Sequence, residues 1–522
     1  MAAGPTFERI ALNRVTFGAR DVDVALVERD GWARWVADQL APPKGDDPDL
    51  DRYLRSLTFP IQYDAYDDNT VNYHWKAMNE PDRPLRYLFM SQRDIWKVIR
   101  AIPWTESFAE SGRLEFELCS GIYIRAAHSK YQLREFMTDF RLNHFSIGKG
   151  KGSLTTASLI SYDRDVIRPN AFGNFRQLLE GVCCSAAMLW YLDNAGSSQA
   201  LPNENYAREL MELHTMGAGA YFGKNPGGAD VSAKGFTDND ILQASRALSG
   251  FTVQYGQPFS AANDGTFFFN KWQHNETAGK FLGFDLSTLS GQAQGQKVLD
   301  LVANHPATAP FVCAKLCRRI FGDTPPPAVL DRAIAAWNAH RDKPDHIKRV
   351  MSAILLDGPE IGSGPAVKVR RPFERFIAMI RACDIVLQAG WNYVNFFWDL
   401  SDSPFIWPTP DGRPDNNAFW LTTYSHVITW QYLQELGQAG GPKLTFAEQT
   451  PAEAFRSPAA LVDYWVRRMI GYPLAPAAMD ALAAIVYEVG LTLPPGSNQY
   501  WNESFARKII ATIAAAPEFV MR

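Results

Sequence analysis

Apolar residues recur at intervals of three and four through most of the chain, most clearly over residues 7–14, 24–29, 32–40, 133–145, 172–191 and 204–214. That spacing lays one apolar stripe along a helix. The same period returns over 241–248, 298–304, 309–321, 329–339, 347–356, 373–387, 418–436, 460–469 and 505–514, so the pattern predicts a mainly α fold. One stretch departs from it. Phe251-Thr-Val-Gln-Tyr255 and Thr266-Phe-Phe-Phe-Asn270 are β-type runs separated by Gly, Pro and Asn-Asp-Gly, which predicts a small hairpin near 251–272.

Between the helical runs lie Gly/Pro/Asn/Asp-rich connections, the longest over 216–240, 287–296 and 401–417. Loops of that length inside a compact protein tend to serve a site, so they draw more functional interest than the helices. No fixed-period repeat and no low-complexity linker divides the chain. The expectation is a large multi-helical single domain over residues 1–522.

Composition agrees with a folded core: 46% of the 522 residues are hydrophobic and 21% charged, far from the signature of disorder. A formal net charge of -4 supplies no field that would gather nucleic acid or an anionic membrane. Short basic pieces exist at Arg318-Arg319 and Lys368-Val-Arg370-Arg371, where ion-paired or solvated cations are the plain reading and a phosphate contact the alternative. Six cysteines in this length do not make a disulfide framework. Cys183-Cys184 is a vicinal pair, and Cys313 and Cys317, one helical turn apart, suit either core packing or half of a metal site. No apolar run reaches the roughly 18–20 residues of a membrane-spanning helix. The amphipathic segment begins at Phe7 and leaves no room for a secretion signal, which predicts either a cytoplasmic protein or a mature exported chain without its signal.

Several motifs converge. The start carries Leu12-Asn-Arg-Val-Thr-Phe-Gly18 and Gly31-Trp-Ala-Arg-Trp-Val-Ala-Asp-Gln-Leu40, followed by Leu133-Arg-Glu-Phe-Met-Thr-Asp-Phe-Arg-Leu-Asn-His-Phe145. Then come Tyr191-Leu-Asp-Asn194 and Pro202-Asn-Glu-Asn-Tyr-Ala-Arg-Glu-Leu-Met-Glu-Leu-His-Thr-Met-Gly217. With these, the chain resembles the bacterial domain-of-unknown-function 1800 (DUF1800) family over nearly its whole length. The first pair is similar to the family's opening helices, and the next to its Asn-His-Phe helix, where the family usually has Trp in place of Arg141. The last is similar to its central signature almost residue for residue. Ala244-Ser-Arg-Ala-Leu-Ser-Gly-Phe-Thr252, His274 with Lys280-Phe-Leu-Gly283, and His305-Pro-Ala-Thr308 leading to Lys315-Leu-Cys-Arg318 extend the likeness. So do Lys368 to Glu374 and Trp407-Pro-Thr-Pro-Asp-Gly-Arg-Pro-Asp415. The resemblance implies a multi-helical fold, no agreed activity, and relatives that are often exported.

The central signature carries the densest set of candidate chemical groups. Asn203 is placed to cap a helix and Glu204 to meet its positive end. Glu204, Arg208 and Glu212 then share one face, beside the apolar face of Tyr206, Leu210 and Leu213. This reads either as an exposed ion-pair ladder or as a partly buried cluster in which Arg208 orients a carboxylate and Glu209 acts as acid or base. His144, one turn beyond Phe140, faces inward as a core histidine or a site residue. His274 lies on the loop Lys271-Trp-Gln-His-Asn-Glu276 among polar groups, a better setting for chemistry.

No cofactor is expected. A divalent metal stays open, since His144, His274, Glu204, Glu209 and Glu212 offer nitrogen and oxygen ligands, yet no His-Glu-x-x-His or Cys-x-x-Cys spacing occurs. Gly-x-Ser-x-Gly, Walker and dinucleotide glycine motifs are likewise missing. Aromatic clusters at Trp391-Asn-Tyr-Val-Asn-Phe-Phe-Trp398 and Phe405-Ile-Trp407 read as core or as a sugar-stacking platform. The leading expectation is a hydrolase or lyase on a glycan or other polymeric substrate, with Glu204 and Glu209 as acid/base carboxylates oriented by Arg208. His144 and His274 would be proton-transfer partners or substrate contacts. A non-catalytic glycan- or partner-binding protein and a metal-dependent or redox enzyme are the alternatives.

Overall fold

The structure is a computed structural model that describes residues 4–224, 231–256, 262–390, 394, 400–435, 446–488 and 499–522. Helices dominate it, and the described strands pair only as four two-stranded antiparallel ribbons. The hairpin expected near 251–272 is there: Phe251–Tyr255 pairs with Asn263–Phe269, with Phe251 opposite Phe269 and Val253 opposite Phe267. Two further ribbons at residues 61–80 were not expected. Their strands have only three residues each, too short for an alternating pattern to stand out.

Three helices form the centre. Phe108–His128 is buried along most of its length, Gln132–His144 at all but one position, and Pro372–Ala382 throughout. These helices are not apolar all round. Arg113, Glu117, Arg125, Arg134, Glu135, Asp139, Arg141, Glu374 and Arg375 are all buried, and charges in a core are stabilised by pairing, which all of these but Arg141 and Arg375 show among the described residues. Arg113 meets Glu117 at 2.8 Å, and Arg125 meets Asp46 at 2.8 Å.

Some expected helices are cut shorter by side-chain caps. The run over 172–191 divides into Phe175–Cys183 and Ala186–Tyr191, because the Ser185 hydroxyl accepts from the Met188 amide at 3.2 Å and starts a new helix. The run over 418–436 breaks between Asn417–Trp420 and Thr423–Glu435. The loop expected over 287–296 is shorter than read, since a helix begins at Gln292 behind Gly291, which takes a positive φ.

The chain ends meet in the core. Arg522 donates to the carbonyl of Arg14 at 2.7 Å and to that of Arg319 at 2.9 Å, and Arg14 in turn donates to the carbonyl of Ile361 at 3.0 Å. One contiguous apolar cluster contains Ala11 and Phe519 alike. Among the described residues, no helix is long and apolar enough to cross a membrane.

Candidate functional site

The central signature folds as its capping chemistry predicts. The Asn203 side chain accepts from the Tyr206 amide at 3.0 Å and donates to the Leu192 carbonyl at 2.7 Å, fixing the start of Glu204–Glu209. Beyond Glu209 the helix widens into a π-turn over Leu210–Thr215, where the Thr215 hydroxyl donates to the Leu210 carbonyl at 2.7 Å. Such turns gather at functional sites because they re-aim side chains. Glu204 is exposed, whereas Arg208 and Glu209 are half-buried. Arg208 reaches Glu212 at 3.2 Å and Asp238 at 3.7 Å and lies 5.3 Å over the Tyr221 ring. Among the described residues it makes no hydrogen bond or ion pair with Glu209. Burial, then Glu212 and Asp411, push the Glu209 pKa above the ordinary carboxylate range, against the pull of Arg208.

Of the histidines, His144 joins the signature and His274 does not. The His144 Nε2–H donates to the His214 carbonyl at 3.0 Å, so the ring is tied to the π-turn. Burial first, then Lys315, Arg141 and His214, hold it neutral with a pKa well below normal. His274 is buried at the base of the hairpin, where Nδ1–H donates to the Ser249 carbonyl at 2.9 Å and the ring packs against Phe269. Among the described residues no hydrogen bond, ion pair or ring contact links it to Glu204, Arg208, Glu209 or His144.

A small cleft of about 30 Å³ opens beside His144, lined by Asp139 and Asn143 of the same helix, by Lys315, Arg318 and Arg319 of Thr308–Phe321, and by Arg371, Arg413 and Asp415. Its wall is a buried charge network. Asp139 accepts from Arg371 at 2.6 Å, Arg319 at 3.0 Å and Arg413 at 3.0 Å. Burial opposes its ionisation, but Arg371, Arg413 and Arg319 outweigh that and hold the carboxyl below its usual range. Asn143 clamps the loop to the helix: its amide donates to the Arg413 carbonyl at 3.0 Å and its oxygen accepts from the Arg413 amide at 2.8 Å. Only glycine fits next to that clamp. Gly412 has φ 79°, and a Cβ there would lie 2.3 Å from the Asn143 carbonyl oxygen. Ser401 and Phe405 also take left-handed backbone, on either side of buried Asp402 and Ser403.

The loop spans both places. Tyr191 donates to the Pro408 carbonyl at 2.9 Å, Trp407 reaches Asp411 at 3.4 Å, and Asp411 acts electrostatically on both Glu209 and Lys315. As for metals, Cys313 and Cys317 are buried and free. Among the described residues no group of three or more His, Cys, Asp or Glu side chains is arranged to hold an ion.

The chain matches the family described as Protein of unknown function (DUF1800) over residues 10–521. It belongs to the DUF1800 family. Comparison with curated proteins and with solved structures gives no match. In this DUF1800 chain the central signature, the Asn-His-Phe helix and the Trp407–Asp415 loop, far apart in sequence, come to one region. Reading the sequence missed Asp139, Asn143, Lys315 and Arg413 as site residues. The available signals were the basic pieces at Arg318-Arg319 and Arg370-Arg371, whose partners only the fold supplies. The aromatic cluster at 391–398 lies outside the described residues except for Val394.

Proposed function

We propose that this chain is an acid–base enzyme, a hydrolase or lyase working on a glycan or another polymeric substrate, with Glu209 as its proton-transferring carboxylate. The observation that carries the reading is the setting of Glu209. It is half-buried and outside every ion pair among the described residues, and Glu212 and Asp411 help burial to raise its pKa. A carboxyl group so held keeps its proton closer to neutrality, as a general acid must when it protonates a leaving oxygen. Glu212, oriented by Arg208, and Asp411 are the carboxylates that supply the second acid–base group. Half-exposed Trp407 offers a ring face for a sugar beside them.

Wild type, Glu209→Gln and Glu204→Gln are to be compared on one panel of glycans and other polymers, each with a thermal melt. Turnover is expected to fall about 100-fold or more in Glu209→Gln with the melt intact, and to persist in Glu204→Gln because that carboxylate is exposed. Turnover kept by Glu209→Gln would remove it from the chemistry.

A second reading, a non-catalytic glycan- or partner-binding protein, is supported by the aromatic face at residues 66–108. There Tyr66 stacks on Trp75 at 4.7 Å, and Trp104 and Phe108 are 50% and 58% exposed. A wild type that turns over nothing in the panel but is retained on immobilised glycan would favour it.

A further inference from the structure

The cleft beside His144 holds more positive charge than its own carboxylates neutralise. Asp139 is engaged by three arginines, as above. Glu374 is taken by Arg319 at 2.8 Å and Arg522 at 3.3 Å, and Asp402 by Arg371 at 3.1 Å and Arg413 at 3.3 Å. Asp415 is held by Lys368 at 2.7 Å. Two cations are left over. Lys315 and Arg318, three residues apart on one helix, line the same cleft, and their side chains make no ion pair or hydrogen bond among the described residues. The Lys315 ammonium lies 5.5 Å over the Phe311 ring.

The bland alternative is a pair of solvated surface cations, but the setting argues against it. Both side chains are only half-exposed. Burial, helped by Arg318 and Arg141, pulls the Lys315 pKa down to about 8, and Asp415 and Asp411 offset this only in part. A wider cleft, about 840 Å³, differs in that its buried arginines are matched. Arg125 and Arg134 face Asp46 there, and Arg168 faces Glu135 and Asp163.

We propose that the cleft between Lys315, Arg318 and Arg413 is a binding site for one tetrahedral oxyanion, a phosphate or sulfate group, free or as an ester on a larger ligand. Lys315 supplies a point charge and Arg318 a planar fork of donors. Arg319, Arg371 and Arg413 form a positive wall already fixed by Asp139, Glu374 and Asp402, so little side-chain freedom is lost on binding. The enclosed space, about 30 Å³, suits a single small group, not a polyanion track. The site is argued without Glu209 and does not depend on its role.

The test is calorimetry and thermal melting of the full chain with sodium sulfate, inorganic phosphate and a sulfated oligosaccharide, against chloride at equal ionic strength. Saturable binding of sulfate and phosphate is expected, weakened about ten-fold or more in Arg318→Gln and in Lys315→Met. Tighter binding of the oligosaccharide would assign the group to a larger ligand, and equal or weaker binding to a free anion. Stabilisation that follows ionic strength whatever the anion, or binding unchanged in both variants, would overturn the site. If Lys315→Met melts early, half-exposed Arg318→Gln carries the comparison.

Discussion

Arg141 sits at full burial in the Gln132–His144 helix with none of its three guanidinium nitrogens hydrogen-bonded among the described residues. It lies 5.2 Å over the Phe140 ring and 5.9 Å over that of Phe175, and burial lowers its pKa to about 10. A charge in such a place costs stability unless partners offset its lost hydration. Arg141→Met keeps most of the volume and removes the charge, so it is expected to raise unfolding stability by about 1–3 kcal/mol. A urea titration checks this, and an unchanged or lower midpoint would mean that the guanidinium contributes favourably. Arg319, Arg371 and Arg413 are the contrasting case, because each is matched by buried carboxylates.

At the scale of elements, that matching ties the fold together at the site. Asp139 joins the Gln132–His144 helix to Thr308–Phe321, to Arg371 at the head of Pro372–Ala382, and to the Trp407–Asp415 loop. Asp139→Asn removes the charge common to all three pairs while leaving the arginines buried. It is expected to cost about 3–5 kcal/mol, with faster amide exchange in residues 402–415 than in the hairpin at Phe251–Tyr255. Uniform exchange across both would show that the loop is held by other means, with the Asn143 clamp the first candidate. The hairpin was legible from composition because β-type residues and turn residues sit next to each other in the chain. The double break at Ser185 and after Trp420 was not, because a capping serine or a skipped turn leaves the three-four spacing nearly unchanged.

Across the whole molecule, buried histidines set the response to acid. His144, His214 and His346 are each about 1% exposed, and among the described residues neither ring nitrogen of His214 has a hydrogen-bond partner. Burial first lowers the pKa of His214 to about 3 and that of His346 to about 4, with nearby Lys315 and Arg141 adding to it respectively. The unfolded chain therefore takes up protons near pH 6.5 that the folded chain refuses until pH 4 or below. Stability is expected to fall as pH drops from 6.5 towards 4, by about 1.4 kcal/mol per pH unit for each such histidine. Glu117 opposes this, since burial raises its pKa to about 7 and its contribution grows as pH falls from 7 towards 4.5. Glu106, Glu209 and Asp402 are raised in the same direction, but burial also lowers His128, His305 and His426, so the histidines outnumber the raised carboxyls and the net slope is acid-labile. Melting temperatures from pH 7.5 to 4.5 test it, with His214→Phe expected to flatten the fall; a flat wild-type profile would contradict it.

The sequence by itself determined the helical class, the hairpin and the family, because periodicity, turn chemistry and motif order are local properties that a chain carries before it folds. It also located the signature helix and its Asn203 cap. What only the tertiary structure decided is which charges lie inside and whom they meet. Asp139 is separated from Arg319, Arg371 and Arg413 by 180, 232 and 274 residues, and a charged residue on a buried helix has the same local pattern as one on a solvated face. The separation of His274 from Glu209 and the surplus of Lys315 and Arg318 likewise follow from long-range packing, where ion pairing and desolvation depend on neighbours that helical spacing does not encode.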